Sequence, residues 1–440
     1  MNSLIGAVVL VATVQSAAGA QTGAGPDSLA AGARALYREA IRAADGGNDR
    51  QALDLMVKAH QSWPAQVAYL ASAVRLSARV ADTAAVVRWL GAIADLGLSF
   101  PVQSLAEFAD LSKVPALTKT LRRLEENGAP FGQSTPIHTN LPADFYPEGI
   151  DYDPAGIRWL VASVRQRTIA SVDQGGEATP FVAPGGPALD AVLGVRVDPK
   201  RNLVWATTRV LPQQQGYAAG SAPRTGVAVF DRRSGLELAR ASVPKDSTSH
   251  WLGDLVVDAT GTVYLSDSES PVVYRATYAA GKIALEEFVR HRFFRSLQGL
   301  AIDPTRHRLY LADYSHGLLS VDLTDRTVRY LPAPAGATTL GIDGLAWHQG
   351  DLIGVQNGVA PARVIRIGLA PSGDAISSVT ALDRQLRLAD EPTIGTIVGG
   401  RFVYVANSQG EKYDDNGKLR DGAVLVPPIL LSVPIGASRP

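Results

Sequence analysis

The sequence predicts a mainly β chain, a six-bladed β-propeller preceded by an α-helical domain. Two observations carry the propeller. First, five stretches share one pattern: Glu148-Gly149-Ile150-Asp151-Tyr152-Asp153, Leu193-Gly194-Val195-Arg196-Val197-Asp198, Gly253-Asp254-Leu255-Val256-Val257-Asp258, Gln298-Gly299-Leu300-Ala301-Ile302-Asp303 and Asp343-Gly344-Leu345-Ala346-Trp347-His348. Their second residues stand at 149, 194, 254, 299 and 344, so successive copies are 45, 60, 45 and 45 residues apart. Second, each copy is followed by a turn and another apolar run, as in Gly261-Thr262-Val263-Tyr264-Leu265-Ser266-Asp267. That period, with about four short strands per unit, belongs to propeller blades. A third observation carries the helical domain. Between Ala30 and Asn127, apolar residues such as Leu36, Ala40, Ala43 and Ala44, then Leu53, Met56, Val57 and Ala59, recur at helical spacing.

The elements follow in order. Leu4 to Thr13 are apolar or small, and Ala18-Gly19-Ala20 precedes Gln21, so residues 1–20 read as a signal peptide. That run is too short to span a bilayer, which implies export to the periplasm or medium with no membrane span after cleavage. An uncleaved anchor is the alternative. Residues 21–29, rich in Gly, Ala, Ser and Pro, read as a linker. Residues 30–127 form the helical domain, in which Gly46-Gly47-Asn48-Asp49 separates the first helix pair and Asn48 or Asp49 caps the next helix. This region resembles tetratricopeptide repeats: Ala52, Ala59 and Pro64 fall at that family's small, small and Pro positions, and Val67 to Gly97 supplies a second unit. Two readings stay open for it, a bundle that caps the propeller and a groove for a protein partner.

Residues 128–147 connect the two parts, and Pro136-Ile137-His138-Thr139 is expected to add an outer strand to the last blade and close the ring. The propeller occupies 148–440, in blades of 148–192, 193–252, 253–297, 298–342, 343–390 and 391–440. Glu391 to Val398 is the less regular inner strand of the sixth. The longer second blade holds Pro212-Gln213-Gln214-Gln215-Gly216, read as a surface loop.

Composition narrows the function. With 42 basic and 42 acidic residues and no basic run, nucleic acid is not an expected partner. The absence of cysteine excludes disulfides, thiolate catalysis and cysteine-ligated metals. No G-x-S-x-G, H-E-x-x-H, Walker or dinucleotide motif occurs.

Stacking the repeats produces two columns. The first, before each inner strand, is Glu148, Leu193, Gly253 (with Asp254 next), Gln298 and Asp343. At a channel rim, the oxygens of Glu148, Gln298, Asp343 and Asp254 could surround one hard cation such as Ca²⁺. The second column, Ser163, Thr207, Asp267, Asp313, Gln356 and Asn407, ends the next strand and is read as side chains that bond the following turn. His250, just ahead of Asp254, is either a general base at the same rim or a structural histidine. Asp414-Asp415-Asn416-Gly417 lacks full calcium-loop spacing and reads as a solvated turn.

Through Pro147-Glu148-Gly149, Gly253 to Asp258 with Asp267-Ser268, Gln298-Gly299-Leu300-Ala301 with Ala312-Asp313, and Asp343-Gly344-Leu345-Ala346, residues 148–435 resemble the gluconolactonase and senescence-marker protein (regucalcin-like) superfamily of six-bladed propellers. The resemblance implies a divalent metal on Glu148, Gln298 and Asp343, with Asp343 also acting as base. The chain departs from the family twice: Gln298 stands for an Asn, and Gly253 for another Asn. Two functions are carried forward. One is an exported, calcium-dependent hydrolase of a lactone or ester with catalytic residues Asp343 and His250. The other is a non-catalytic protein whose helical repeats and propeller are partner surfaces.

Overall fold

Six four-stranded antiparallel sheets make up the propeller of the computed structural model, which describes residues 25–182 and 189–436. The expected signal peptide at 1–20 lies outside these residues. The inner strands of the first five blades are Pro147–Asp153, Ala191–Asp198, Leu252–Val257, Leu297–Asp303 and Ile342–His348. In the sixth, the regular inner strand is shorter than expected, Gly395–Val398, and Glu391 is joined only through an isolated parallel bridge to Asn407. The stretch lacks the glycine motif of the other five. The outermost strand of this blade is Thr135–His138, paired antiparallel with Ile429–Pro434, so the ring is closed by chain from both sides of the propeller sequence.

One irregularity recurs in all five motif-bearing blades. The register between inner and second strands slips between Pro147 and Ile150, Val192 and Val195, Leu252 and Leu255, Leu297 and Leu300, and Ile342 and Leu345. The inner strand therefore carries one residue more than its partner across each slip. Such bulges bend a strand and re-aim the extra side chain. The bulged pairs include Glu148-Gly149, Gln298-Gly299 and Asp343-Gly344, so polar residues leave the ladder at the point where their glycines must pack.

The glycines have no alternative. A Cβ on Gly149 would lie 2.3 Å from the Leu193 carbonyl oxygen, and one on Gly299 would lie 2.4 Å from the Leu345 nitrogen. Both obstacles are backbone of the next blade, which cannot rotate away.

Helix α1 (Pro26–Asp45) starts with Pro26 in its first turn, where a missing N–H costs nothing. It thus takes up the second half of the stretch expected to be a linker. Helices α2 (Asp49–Ser62), α3 (Val67–Arg79) and α4 (Thr83–Asp95) follow, then α5 (Phe108–Leu111) and α6 (Pro115–Gly128). Asn48 sits at the N-cap of α2 without a side-chain cap bond, whereas the Asp82 carboxylate caps α4 by accepting from the Ala85 N–H at 2.9 Å. Among the described residues, no helix is long and apolar enough to cross a membrane.

The helical region shares one hydrophobic cluster with blades three and four. Trp63 packs against Phe293 and Tyr330, with centroids 5.9 and 5.1 Å away. Each such aromatic side chain contributes roughly 2–3 kcal/mol through burial. Polar ties border this seam. Gln66 donates to the Ser315 carbonyl, Arg363 to the Gly97 carbonyl, and Arg384 to the carbonyls of Glu126 and Ala129.

The crowding at the rim makes a direct prediction. Gly299→Ala should destabilise the fold by about 3 kcal/mol, and Gly299→Val should prevent folding. Thermal denaturation of the purified Ala variant, with a melt equal to that of the parent, would show that the rim has slack.

Candidate active site at the channel rim

The bulges bring the first column into one cavity of about 280 Å³, lined by Glu148, Leu193, Gly253, Asp254, Gln298 and Asp343, and also by Trp251 and Ile394. Glu148 and Asp343, from blades one and five, therefore share a chamber. The Glu148 carboxylate accepts from the Ser408 hydroxyl at 3.2 Å. Asp343 accepts from Asn357 Nδ2 at 2.8 Å, and the Asn357 oxygen accepts from the Tyr314 hydroxyl at 3.1 Å. This second bond orients the amide with its nitrogen toward Asp343.

Electrostatics separate the acidic groups. Burial, with Asp343 and Glu391 nearby, raises Glu148 well above the usual carboxylate range. Burial raises Asp343 to about 6, against the opposing Asn357 bond. Glu391, beside the chamber, is pushed up to about 7 by burial, against the N–H of Glu411. Burial raises Asp254 as well, and the Arg196 guanidinium opposes the rise. This carboxylate forms an ion pair with Arg196 at 3.1 Å and accepts from the Leu255 N–H at 2.8 Å.

Two expectations need correction. Asp254 lines the cavity, but its carboxylate is engaged by Arg196 and is not a spare ligand. His250 does not line the cavity at all. Its Nδ1 is 2.6 Å from Asp267 and its Nε2 is 3.1 Å from Thr248, and it faces a separate groove of about 400 Å³ between blades two and three. Asp267 is buried and also accepts from the backbone N–H groups of Trp251, Glu269 and Ser270, so it holds the imidazole toward the blade and away from the rim. Among the described residues, no three His, Asp or Glu side chains gather as a metal cage. A cation here would rely on Glu148, Asp343 and neutral oxygens.

The second column does bond turns and strand ends. Asp313 accepts from four N–H groups (Arg295, Ser296, Ser315 and His316), and Asn407 binds Pro427 and Ile429. The hydrogen-bond partners of the rim residues that the sequence pattern did not reveal stand one residue later: Ser268, Tyr314, Asn357 and Ser408. Alternation along a strand turns these toward the channel when their predecessors face the blade.

The blade-two loop is less free than expected. Gln214 is buried, and its side-chain oxygen accepts from the N–H groups of Ala191 and Leu211. The loop also meets the acidic turn, where Gln213 donates to the Asp414 carbonyl. Leu211 packs with Leu193, backing one wall of the chamber.

No family model and no curated protein matches the chain. Among solved structures, it is similar to a proposed oxidoreductase of the glucose dehydrogenase type from Thermus thermophilus (16% identity, 68% of this chain and 99% of the other, TM-score 0.45). It is also similar to a gluconolactonase from Xanthomonas campestris (13%, 68% and 87%, TM-score 0.43) and to virginiamycin B lyase from Staphylococcus aureus (12%, 68% and 99%, TM-score 0.43). The functional reading therefore rests on the rim residues of this chain.

The raised Glu391 predicts a pH effect. Its folded pKa of about 7 exceeds the ordinary 4.5, so the folded state holds a proton that the unfolded state has lost. That contribution is full below about pH 4.5 and disappears as pH rises through 7. Melting curves of Glu391→Gln should therefore converge with the parent at low pH and lie above it at pH 8. Parallel curves from pH 4.5 to 8 would contradict the assignment.

Proposed function

We propose that the rim holds a divalent cation, Ca²⁺ being the first candidate, and that the protein is an exported, metal-dependent hydrolase of a lactone or ester. One observation carries this reading. The other acidic side chains of the chamber each have an arginine, Arg196 for Asp254 and Arg209 for Glu269. Glu148 and Asp343 are bonded by Ser408 and Asn357, which are neutral. Two acidic groups held together without a cationic partner match the donor set that a hard cation takes.

Glu148 and Asp343 would hold the cation, with the Gln298 amide oxygen as a third donor. When bound, it would act as a Lewis acid that polarises the ester carbonyl. The residues of the chain do the rest. Asp343, with a pKa of about 6, is ionised at neutral pH and suited to take a proton from the attacking water. Asn357 and Tyr314 fix the direction of its carboxylate, and Ser408 does the same for Glu148. His250 is left outside this scheme as a structural residue bonded to Asp267. A non-catalytic protein whose helical repeats and propeller are partner surfaces is the second reading, and it is favoured if the rim binds no cation.

Ca²⁺ at a hundredfold excess over its dissociation constant should stabilise the protein by about 2.7 kcal/mol. Asp343→Asn and Glu148→Gln should remove most of that increment. Asp267→Asn should lower the starting melting temperature and keep the increment. A Cβ at Gly253 would meet only Ser268 Oγ at 3.3 Å and more distant side-chain atoms, so Gly253→Asn has room for one more donor and should enlarge the response. Hydrolysis and the cation response should both weaken as pH falls through about 6, where Asp343 takes up a proton. Melting temperatures indifferent to Ca²⁺, Mn²⁺, Zn²⁺ and chelator alike would sink the proposal.

A further inference from the structure

The chamber has two unlike sides. Leu193 and Trp251, from the adjacent blades two and three, supply apolar surface to one, while Gln298, Asp343 and Glu148 line the rest, with Ile394 of blade six between the two carboxylates. Most remaining polar side chains are engaged within the protein. Asp254 is bound to Arg196, and Glu269 to Arg209 and the Ser249 hydroxyl. The Ser268 hydroxyl donates to the Leu297 carbonyl at 2.7 Å. Outside the three candidate ligands, the spare side-chain donors among the described lining residues are the Ser296 hydroxyl, which accepts from Gln298 Nε2 at 3.4 Å, and the Trp251 indole N–H.

The apolar side is also rigid. The Trp251 backbone N–H donates to Asp267 at 2.9 Å, and its carbonyl accepts from the Ser268 N–H at 2.9 Å. The Arg209 guanidinium lies 4.0 Å from the indole centroid and is itself tied to Glu269. Gly253 puts no side chain beside the indole: its own Cβ would come within 3.9 Å of Trp251 Cδ1. Leu193 is backed by Val164, Ala191 and Leu211, against which Trp251 also packs.

We infer that the substrate carries an apolar body, an alkyl or aryl lactone or ester laid on Trp251 and Leu193, and that polyhydroxylated sugar lactones bind poorly. The inference rests on the reading of the rim as a hydrolytic centre. Its physical basis is desolvation. Sugar hydroxyls laid against Leu193 and Trp251 would lose water there and find only the indole N–H and the Ser296 hydroxyl as spare side-chain donors in exchange. An alkyl or aryl group loses nothing polar and gains contact with a fixed indole. The volume of about 280 Å³ suits one ring with a short chain and falls just below the usual range for drug-sized ligands.

Binding of non-hydrolysable lactams to the whole chain tests this without requiring turnover. The probes are a δ-valerolactam bearing a pentyl chain and glucono-δ-lactam, titrated calorimetrically with saturating Ca²⁺ and again with chelator. The alkyl lactam should bind at least about tenfold tighter. Trp251→Ala should weaken the alkyl lactam by a similar factor and leave both the sugar lactam and the Ca²⁺-induced rise in melting temperature unchanged. Trp251→Phe, which keeps a flat apolar surface, should retain the preference and covers the case in which the alanine variant does not fold. Equal or tighter binding of the sugar lactam, no binding of either probe, or a preference lost in the folded phenylalanine variant would overturn the inference. A missing Ca²⁺ response alone, with the alkyl preference intact in chelator, would overturn the hydrolytic reading and leave the substrate-facing surface as described.

Discussion

Backbone crowding at the channel rim is the constraint from which the rest of this structure follows. Gly149 faces Leu193 and Gly194, Gly299 faces Asp343 and Leu345, and Gly344 faces Thr393 and Ile394, each too close for a side chain to stand between. The bulge at each of these glycines lets the strand pass its neighbour, and the same bulge turns the preceding residue out of the ladder. Steric necessity and chemical opportunity thus occupy adjacent positions. Blade three reverses the two. Asp254 stands at the crowded position and is held there by Arg196 and the Leu255 N–H, while the position that could present a donor is Gly253.

Charge placement divides the molecule in a similar way. Arg196 and Arg209 neutralise acidic groups of the chamber, and Arg363 and Arg384 bind carbonyls at the end of the helical region. Carbonyl acceptors at helix ends suit guanidinium groups well, because those carbonyls have no partner within the helix. Arg34 reaches His316 across the same seam at 2.6 Å. Since an arginine only donates, the histidine Nε2 must accept, and Nδ1 then carries the proton directed at the Phe293 carbonyl. Glu148 and Asp343 stand apart from this pattern of arginine pairing, and burial raises the pKa of both.

Four of the five repeats were legible because glycine at 149, 194, 299 and 344 is imposed by backbone geometry, which leaves a fixed residue type at a fixed period, and the fifth, with Asp254 at that position, by its matching strand pattern. The closing strand, expected at 136–139 from its position before the first repeat, is found at 135–138. The sixth inner strand was less so, since Glu391 to Ile394 runs beside the channel without a regular ladder. Side-chain direction was the least readable property. His250 lies four residues before Asp254, yet Asp267, seventeen residues later, turns its ring into another groove. Asn357 and Ser408 could have been found by advancing the second column by one residue, because a strand alternates its faces. Nothing local marks Gln214 as buried, since its acceptors and donors depend on how a long loop folds back.

The pairing of Thr135–His138 with Ile429–Pro434 has a kinetic consequence. The Thr135 hydroxyl bonds to Ser432, 297 residues away, so the ring cannot be completed until nearly the whole chain is present. Each blade contains mostly local hairpins and can form early, whereas this contact must wait and carries the largest loop-closure entropy. Until then the last blade has an open edge, the kind of surface to which another copy could add a strand. The step that closes the ring is therefore set by four residues that lie outside the repeats.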